Sequence, residues 1–445
     1  MKLDDLIKNL EDRYFIDPKF YDEYNVKRGL RNKDGSGVLV GLTRIGNVTG
    51  YIKEEEEIIP VEGKLRYRGI DIQEIVNAIA KENRAGFEEI TYLLLFGKLP
   101  TEKELEAFNN LIDENMDLPA GFKENMILNA PSKDIMNKLA RSVLVLYSYD
   151  EDPDNLDVKN IMRQSIELIA RFPVLIAYAY QAKCHYYDKK SLIIHNPQKG
   201  LGIARNFLQM IRSDQLYSEL EAQTLDIALI LHAEHGGGNN STFTTHVVSS
   251  TDTDTYSAIA AAIGSLKGPK HGGANIKVMD MMDNIKQNVK NWSNEKEIAD
   301  YIVKILRKEA FDKTGLVYGI GHAVYTLSDP RAVILKKYAY ELAKKNNREE
   351  EFFLYETIEK LTPTLFNEIK GSSKVLCANV DFYSGFVYDM LGIPRDLYTP
   401  IFALARISGW CAHRLEEIIS GGRIIRPAYK NIEPKKPYIP IKKRE

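Results

Sequence analysis

The feature that most constrains the fold is a helical spacing of apolar residues, which dominates the chain after residue 72. Apolar side chains recur every three or four positions, as on the buried face of an amphipathic helix. No alternation of strands with helices, no GxGxxG segment and no P-loop pattern interrupts this spacing. The sequence therefore predicts a mostly α-helical fold, with helices at 72–81, 87–95, from Thr101 onward, 132–149, 158–182, 200–212, 218–235, 256–263, 278–287, 298–307, 332–346, 352–360 and from Thr399 to Gly421.

Strands are predicted only near the N-terminus. After a helix predicted at 3–13, residues 35–59 place Val38, Ile45 and Val48 among glycine and threonine, and 63–72 continue in the same way. This composition favours short strands or a hairpin. We predict a large helical domain of residues 1–275 and 386–445, with a small helical domain of 276–385 inserted. The proline- and lysine-rich end, 433–445, is predicted to be an extended tail.

Composition excludes several classes of protein. Lys and Arg number 60 against 62 Asp and Glu, a formal net charge of −2, which argues against a nucleic-acid binder. Three widely spaced cysteines make a disulfide scaffold or a thiolate metal site improbable. The acidic first residues indicate no secretory or organellar signal, and no apolar run reaches the length of a membrane span. We expect a cytoplasmic protein that binds neither membrane nor nucleic acid.

Three histidines, His235, His271 and His322, stand beside glycines. His271 follows a break at Gly268-Pro269, which with Gly264 is predicted to stop the helix 256–263, and precedes two more glycines. Read alone, this pattern favours a structural histidine over a reactive one. His322 lies in a second glycine-flanked segment, and Arg331 follows closely at the predicted start of a helix, behind Pro330.

His232 and His235 close the helix predicted at 218–235 and would share one of its faces. A zinc site needs a third protein ligand, and no HExxH pattern supplies one. We therefore expect no metal here. A histidine at a helix C-terminus can also bind a carboxylate.

Two charged residues lie in apolar surroundings. Asp381 stands between apolar and aromatic neighbours, where desolvation raises the pKa of a carboxyl group, as a general base requires; it could equally cap the following helix. Arg406 is a lone cation in an almost wholly apolar helix, with no acid within a helical turn, so its missing partner could be a distant acid or a ligand. With Arg423 and Arg426 nearby, the pattern suggests a small polycarboxylate.

Together these segments resemble the citrate synthase family from about Gly63 to Pro427. The resemblance rests on the order and spacing of Leu65-Arg-Tyr-Arg-Gly69, His232-Ala-Glu-His235, Gly268-Pro-Lys-His-Gly-Gly-Ala-Asn275, Gly321-His-Ala-Val-Tyr325, Asp329-Pro-Arg331, Asn379-Val-Asp-Phe-Tyr-Ser-Gly385, Phe402-Ala-Leu-Ala-Arg406 and Arg426-Pro427. It implies a two-domain homodimer that condenses acetyl-CoA with oxaloacetate and hydrolyses the thioester, with acetyl-CoA as co-substrate and no further cofactor.

The resemblance also implies residue roles. Asp381 would deprotonate the acetyl methyl group, His271 would hydrogen-bond the thioester oxygen, and His322 would polarise and protonate the oxaloacetate carbonyl. The residues implied to bind or line the oxaloacetate site are His235, Arg331, Phe402, Arg406 and, from the other subunit, Arg426.

Three alternatives stay open at this point. A 2-methylcitrate synthase would use the same residues with propionyl-CoA. A metal-dependent hydrolase would use His232 and His235. A non-catalytic helical scaffold would need none of these roles.

Overall fold

The computed structural model describes Ile7 and residues 10–54 and 57–444. The predicted helix at 3–13 therefore lies largely outside the described residues, of which Leu10–Tyr14 form the helix α1. The remaining helices are α2 (Lys19–Glu23), α3 (Ile72–Glu82), α4 (Phe87–Phe96), α5 (Glu102–Glu114), α6 (Ile135–Leu146), α7 (Val158–Tyr186), α8 (Gly202–Ile211), α9 (Glu219–His232), α10 (Asn240–Ser249), α11 (Thr255–Lys267), α12 (Ala274–Asn288), α13 (Glu295–Leu306), α14 (Pro330–Lys345), α15 (Glu349–Lys370), α16 (Val380–Met390) and α17 (Tyr398–Ile419). The mostly helical fold is confirmed.

The predicted β element is an antiparallel sheet of three strands in the order β1 (Gly46–Glu54), β2 (Glu57–Tyr67) and β3 (Ile70–Asp71). The segment around Val38 is not part of it: Gly37 forms only an isolated bridge with Arg31, and Leu39 is exposed. Gly50 of β1 lies against the backbone of Val324 and Tyr325, where a side chain would collide. The sheet thus supports the segment that carries His322.

Helix α17 lies at the centre of the larger group of helices. It packs against α4, α7, α9, α10 and α11. Its residues from Ala403 to Leu415 are buried, including Trp410 and two arginines. A helix buried on all sides is the expected outcome of an almost wholly apolar sequence.

Helices α12 to α16 pack largely against one another. They correspond to the predicted small domain, although residue 275 falls inside α12 and residue 385 inside α16. The division at 275 and 385, and the closure of one domain over the other, stay predictions. No helix among the described residues is both long enough and apolar enough to cross a membrane.

Several predicted helix ends were wrong, the largest miss being α15, which was predicted to end at 360 and ends at Lys370; two others are set by tertiary contacts. Helix α9 ends at His232 instead of His235. The Tyr67 hydroxyl donates to the Ile230 carbonyl (2.9 Å), which also accepts the N–H of Ala233 (3.3 Å), so a distant side chain binds the last turn of the helix. Helix α11 continues through Gly264 to Lys267, since the burial of Ile263 and Leu266 outweighs the roughly 1 kcal/mol that a glycine costs inside a helix.

Helix α10 was missed, and the start of α17 was placed one residue late. The α10 sequence is rich in serine and threonine, which have poor helix propensity. Its hydroxyl groups instead bond carbonyls one turn back, as Thr245 Oγ1 does to the Ser241 carbonyl (3.0 Å). Thr399 lies in the first turn of α17, where its hydroxyl donates to the Gly272 carbonyl (2.9 Å).

Candidate active site

The structure brings the three glycine-flanked histidines to one cleft. His235 follows α9, His271 lies between α11 and α12, and His322 lies in the segment before α14. All three line a cavity of about 920 Å³ that opens beside β1. The rings of His235 and His322 are 5.2 Å apart, centroid to centroid. These three residues, distant in sequence, therefore share one cleft, whose lining residues do not include Asp381, Arg331, Phe402 or Arg406.

His322 is held in a single protonation form. Its Nδ1 accepts the backbone N–H groups of Val324 (3.0 Å) and Tyr325 (3.1 Å). Burial, reinforced by the charge of Arg331, lowers the pKa of His322 to about 4. The neutral ring therefore carries its proton on Nε2, which can donate a hydrogen bond to a substrate oxygen.

His271 is packed from behind by α10 and α17. Its Nε2 lies 3.0 Å from Ser241 Oγ, which also accepts the indole N–H of Trp410 at 3.1 Å. Burial and then Arg406 lower the pKa of His271 to about 4, so this ring is also neutral near pH 7. Sequence reasoning missed Ser241, because nothing distinguishes it within a run of serine and threonine.

The glycines around His271 serve close packing of the backbone. Gly272 donates its N–H to the Leu266 carbonyl (2.9 Å), and a side chain there would collide with that carbonyl and with Thr399. The end of α11 and the start of α17 therefore pack closely against the backbone around Gly272. His271 is fixed by both helices.

Asp381 lies in the first turn of α16. The cap of this helix is Asn379, whose side-chain oxygen accepts the N–H of Asp381 at 3.0 Å. The capping alternative for Asp381 is therefore wrong. Burial raises the pKa of Asp381 to about 6, although Arg331 and Arg406 act against it. Its carboxylate is ionised at neutral pH and unusually basic, as a general base requires.

Arg331 is buried and paired with a carboxylate. Its Nε and Nη2 bind the two oxygens of Asp329 at 3.0 and 2.7 Å. Asp329 also accepts the N–H of Val380 (3.2 Å), next to Asp381, and thus joins the starts of α14 and α16. Sequence reasoning noted Asp329 only as part of a turn and missed this linking role.

Arg406 is fully buried and incompletely paired. Its Nε donates to the His232 carbonyl (2.6 Å), and its guanidinium lies 4.7 Å from the Phe402 ring centroid. Both Nη atoms are buried without a hydrogen-bond partner, and no described residue forms an ion pair with them. Burial lowers the pKa of Arg406 to about 10, because the charged form is poorly solvated there. These donors can be satisfied by an anionic ligand.

His232 and His235 also present unpaired nitrogens. His232 Nδ1 and His235 Nε2 are buried without a hydrogen-bond partner. Burial lowers the pKa of both rings well below the usual range. Because His235 lies beyond the end of α9, the predicted pair on one helix face is wrong. Among the described residues, neither histidine belongs to a group of three potential metal ligands within coordinating reach.

The remaining predicted residues differ in position. Phe402 lies between Arg406 and His271, with its ring centroid 6.3 Å from that of His271. Arg426 is exposed beyond the end of α17 and does not line the cleft of its own chain. Arg31 was missed; it lines the cleft and donates to the Ala323 carbonyl (3.3 Å), next to His322.

The chain is similar to known proteins over most of its length. The profile of the family described as "Citrate synthase, C-terminal domain" matches residues 34–428. The chain is 35% identical to the citrate synthase of Haloferax volcanii, covering 90% of this chain and 94% of that protein. It is 34% identical to 2-methylcitrate synthase 1 of Corynebacterium glutamicum, covering 94% and 98%.

A solved structure shows the same fold. It is the ternary complex of carboxymethyl coenzyme A and oxaloacetate with the citrate synthase of Thermoplasma acidophilum. The TM-score is 0.77 at 26% identity, over 94% of this chain and 99% of that one.

Proposed function

Because the chain belongs to the citrate synthase family, and so to the acyltransferases that form carbon–carbon bonds, we propose that it condenses acetyl-CoA with oxaloacetate. It then hydrolyses the citryl-CoA thioester to citrate and CoA. The observation that carries this proposal is the pair of unpaired Nη atoms of Arg406, whose guanidinium packs on Phe402 next to the neutral rings of His232 and His271. A small dicarboxylate satisfies buried guanidinium donors by charge and by fork geometry.

The oxaloacetate carboxylates bind His235, Arg331 and Arg406. Arg406 supplies its two free Nη atoms, and His235 supplies an unpaired Nε2. Arg331 is already paired with Asp329, so it contributes only the edge of its guanidinium that Asp329 leaves free. Phe402 lines the pocket and stacks on Arg406.

The chemistry divides between one base and two hydrogen-bond donors. Asp381 removes a proton from the acetyl methyl group, for which its raised pKa suits it. His271 hydrogen-bonds the thioester oxygen as negative charge develops there. His322 donates from Nε2 to the oxaloacetate carbonyl and protonates it as the new bond forms; its neutral state follows from its low pKa.

The experiment that tests this proposal compares two acyl donors in the presence of oxaloacetate. Release of free CoA is measured as kcat/KM with acetyl-CoA and with propionyl-CoA. We expect faster turnover of acetyl-CoA. Faster turnover of propionyl-CoA would instead identify a 2-methylcitrate synthase, a candidate favoured by the relative from Corynebacterium glutamicum.

Asp381→Asn is the matching variant for the chemical step. Loss of a positioned base costs about 10²–10⁴-fold in rate, so we expect kcat to fall by that factor with both donors. An unchanged kcat would contradict the proposed base, whereas a wild-type protein that releases no CoA with either donor would leave the scaffold alternative standing.

The homodimer, with Arg426 reaching the partner's site, is part of the same proposal. Arg426 is exposed in its own chain and free to act across an interface. Mixing two inactive variants, Arg426→Gln and Asp381→Asn, tests this. If Arg426 acts across the interface, each mixed dimer has one intact site, and activity returns to about a quarter of the wild-type value. No recovery would place Arg426 in its own subunit's site. A cytoplasmic location and a role in the tricarboxylic acid cycle also stay predictions.

A further inference from the structure

A second cluster of ionisable side chains lies outside the substrate cleft. It joins His246 of α10 to His413, Glu416 and Glu417 of α17, and to Glu234 in the turn after α9. His413 and Glu234 are fully buried, and the other three are mostly buried. The proposed reaction uses none of these side chains.

The outer nitrogen of each imidazole binds a carboxylate. His246 Nδ1 lies 2.7 Å from Glu417 Oε2, and His413 Nε2 lies 3.0 Å from Glu234 Oε1. Carboxylates only accept hydrogen bonds, so each outer nitrogen carries the ring's proton.

The inner nitrogens face each other with their lone pairs. His246 Nε2 and His413 Nδ1 are 3.0 Å apart. Because each neutral ring has used its proton on the outer side, a cation must bridge the two inner nitrogens. That cation is either an additional proton or a metal ion.

Glu416 supplies a third ligand atom. Its Oε1 accepts the backbone N–H of Arg44 (2.7 Å), whereas its Oε2 is buried without a hydrogen-bond partner. Glu416 Oε2 lies 3.8 Å from His413 Nδ1. Ligand atoms of His246, His413 and Glu416 all lie within 4.8 Å of one another. A bridging proton would leave this oxygen unsatisfied, but a metal ion would bind it.

We propose that His246 Nε2, His413 Nδ1 and Glu416 Oε2 bind one divalent transition-metal ion of the Zn²⁺ class. Zinc takes imidazole nitrogens at about 2.0–2.1 Å and carboxylate oxygens at about 2.0–2.2 Å. Metal-bound histidines usually donate their other N–H to a carboxylate, as Glu417 and Glu234 accept here. The negative charge of the three surrounding carboxylates also favours a divalent metal ion over a proton, which carries a single charge.

The site connects to the substrate cleft through Glu234. The same Glu234 oxygen that binds His413 accepts the N–H of Gly236, the residue after His235. The ion would therefore stabilise the turn that positions His235 and take no part in the chemical step. Its role is structural and independent of the proposed reaction.

The test is titration of the chelator-treated full chain with Zn²⁺ alone, followed by calorimetry, and with Co²⁺, followed by visible absorption. We expect the wild type to bind one more ion than Glu416→Gln, and its Co²⁺ spectrum to show a tetrahedral band that this variant lacks. Gln keeps an oxygen for the Arg44 N–H, so this variant preserves the fold. Glu417→Gln, which weakens only the outer partner of His246, should lower the affinity by about 10–100-fold.

His185→Gln is the matched control, since His185 bonds only a nearby carbonyl at the end of α7 and should bind Zn²⁺ like the wild type. Equal stoichiometry and affinity in the wild type, Glu416→Gln and Glu417→Gln would overturn the proposal and leave a shared proton between the imidazoles. Absence of any Zn²⁺ binding by the wild type would overturn it equally.

Discussion

Two arginines on helix α17 are buried to the same extent, but only one of them has hydrogen-bond partners for all of its side-chain nitrogens. Arg406 and Arg414 are both fully buried, and burial lowers the pKa of each to about 10. Arg414 donates to Thr255 Oγ1 (3.0 Å), Ser249 Oγ (3.1 Å) and the Thr253 carbonyl (2.7 Å), so each of its three nitrogens is paired. Arg406 pairs only its Nε and leaves both Nη atoms unpaired.

The difference shows that burial of a charge does not by itself indicate a ligand site. Arg414 has no acid in contact, yet neutral oxygens at the α10–α11 turn satisfy it, which makes it a structural residue. Arg406 has two donors that no described residue satisfies and that an anionic ligand can satisfy. The comparison predicts that one arginine matters for binding and the other for stability.

The largest effect is expected for Arg406→Gln. Removing one partner of a buried charge pair costs about 2–5 kcal/mol, which corresponds to a loss of kcat/KM for oxaloacetate between about 30-fold and several thousand-fold. Thermal denaturation should show no loss of stability in the free protein, because an unpaired buried charge has been removed. An active or an unfolded Arg406→Gln protein would break the comparison.

Oxaloacetate should stabilise the protein only when Arg406 is present. A ligand at 100 times its Kd raises the free energy of unfolding by about 2.7 kcal/mol. We expect a higher Tm with oxaloacetate for the wild type and for Arg414→Met, and no change for Arg406→Gln. An equal rise in all three proteins would show that Arg406 does not bind the substrate.

A smaller effect is expected for Arg414→Met. This change leaves the oxygens of Thr255 and Ser249 without their donor, and an unsatisfied buried group costs about 1–3 kcal/mol. Denaturant unfolding should show that loss, whereas kcat/KM per folded molecule should equal the wild-type value. A specific loss of oxaloacetate affinity would contradict the structural role.

The smallest effect is expected in the pH profile. Asp381 acts as a base only when deprotonated, so kcat should fall as the pH drops below about 6. The positive charge of Arg406 lowers the pKa of Asp381, so its removal should move the acid limb to higher pH. The shift is measured from the pH dependence of the residual kcat of Arg406→Gln, and the pH profile of Arg414→Met is the control. A downward shift would contradict the assignment of the limb to Asp381.

Sequence reasoning found the members of the site more readily than their partners. Gly268 and Gly321 mark the loops of His271 and His322, and the isolation of Arg406 in an apolar helix predicted a missing anion. These signals are local, because a glycine beside a histidine and a charge within an apolar segment can be recognised from the adjacent residues in the sequence. The structure confirms the predicted mostly helical fold, and the family profile confirms the predicted family resemblance. Roles of individual residues stay predictions.

The errors have a common physical cause. Helix α9 ends at His232 because Tyr67, far away in the sequence, bonds its last turn. Helix α10 forms despite weak propensity, since tertiary packing buries Thr242 and Thr245. His413 passed without remark because its partners lie on other elements. Each error concerns a contact between distant segments.

The sequence by itself determined the fold class, the glycine-flanked histidines and the presence of a cation in an apolar helix. It also placed Arg414 two turns further along the same helix, with Glu416 and Glu417 as the nearest acids in sequence. Only the tertiary structure decided which guanidinium is satisfied, because the acceptors of Arg414 come from the α10–α11 turn, about 160 residues earlier. Hydrogen bonding of a buried charge depends on those distant partners, and a residue's own neighbours in the chain do not specify them.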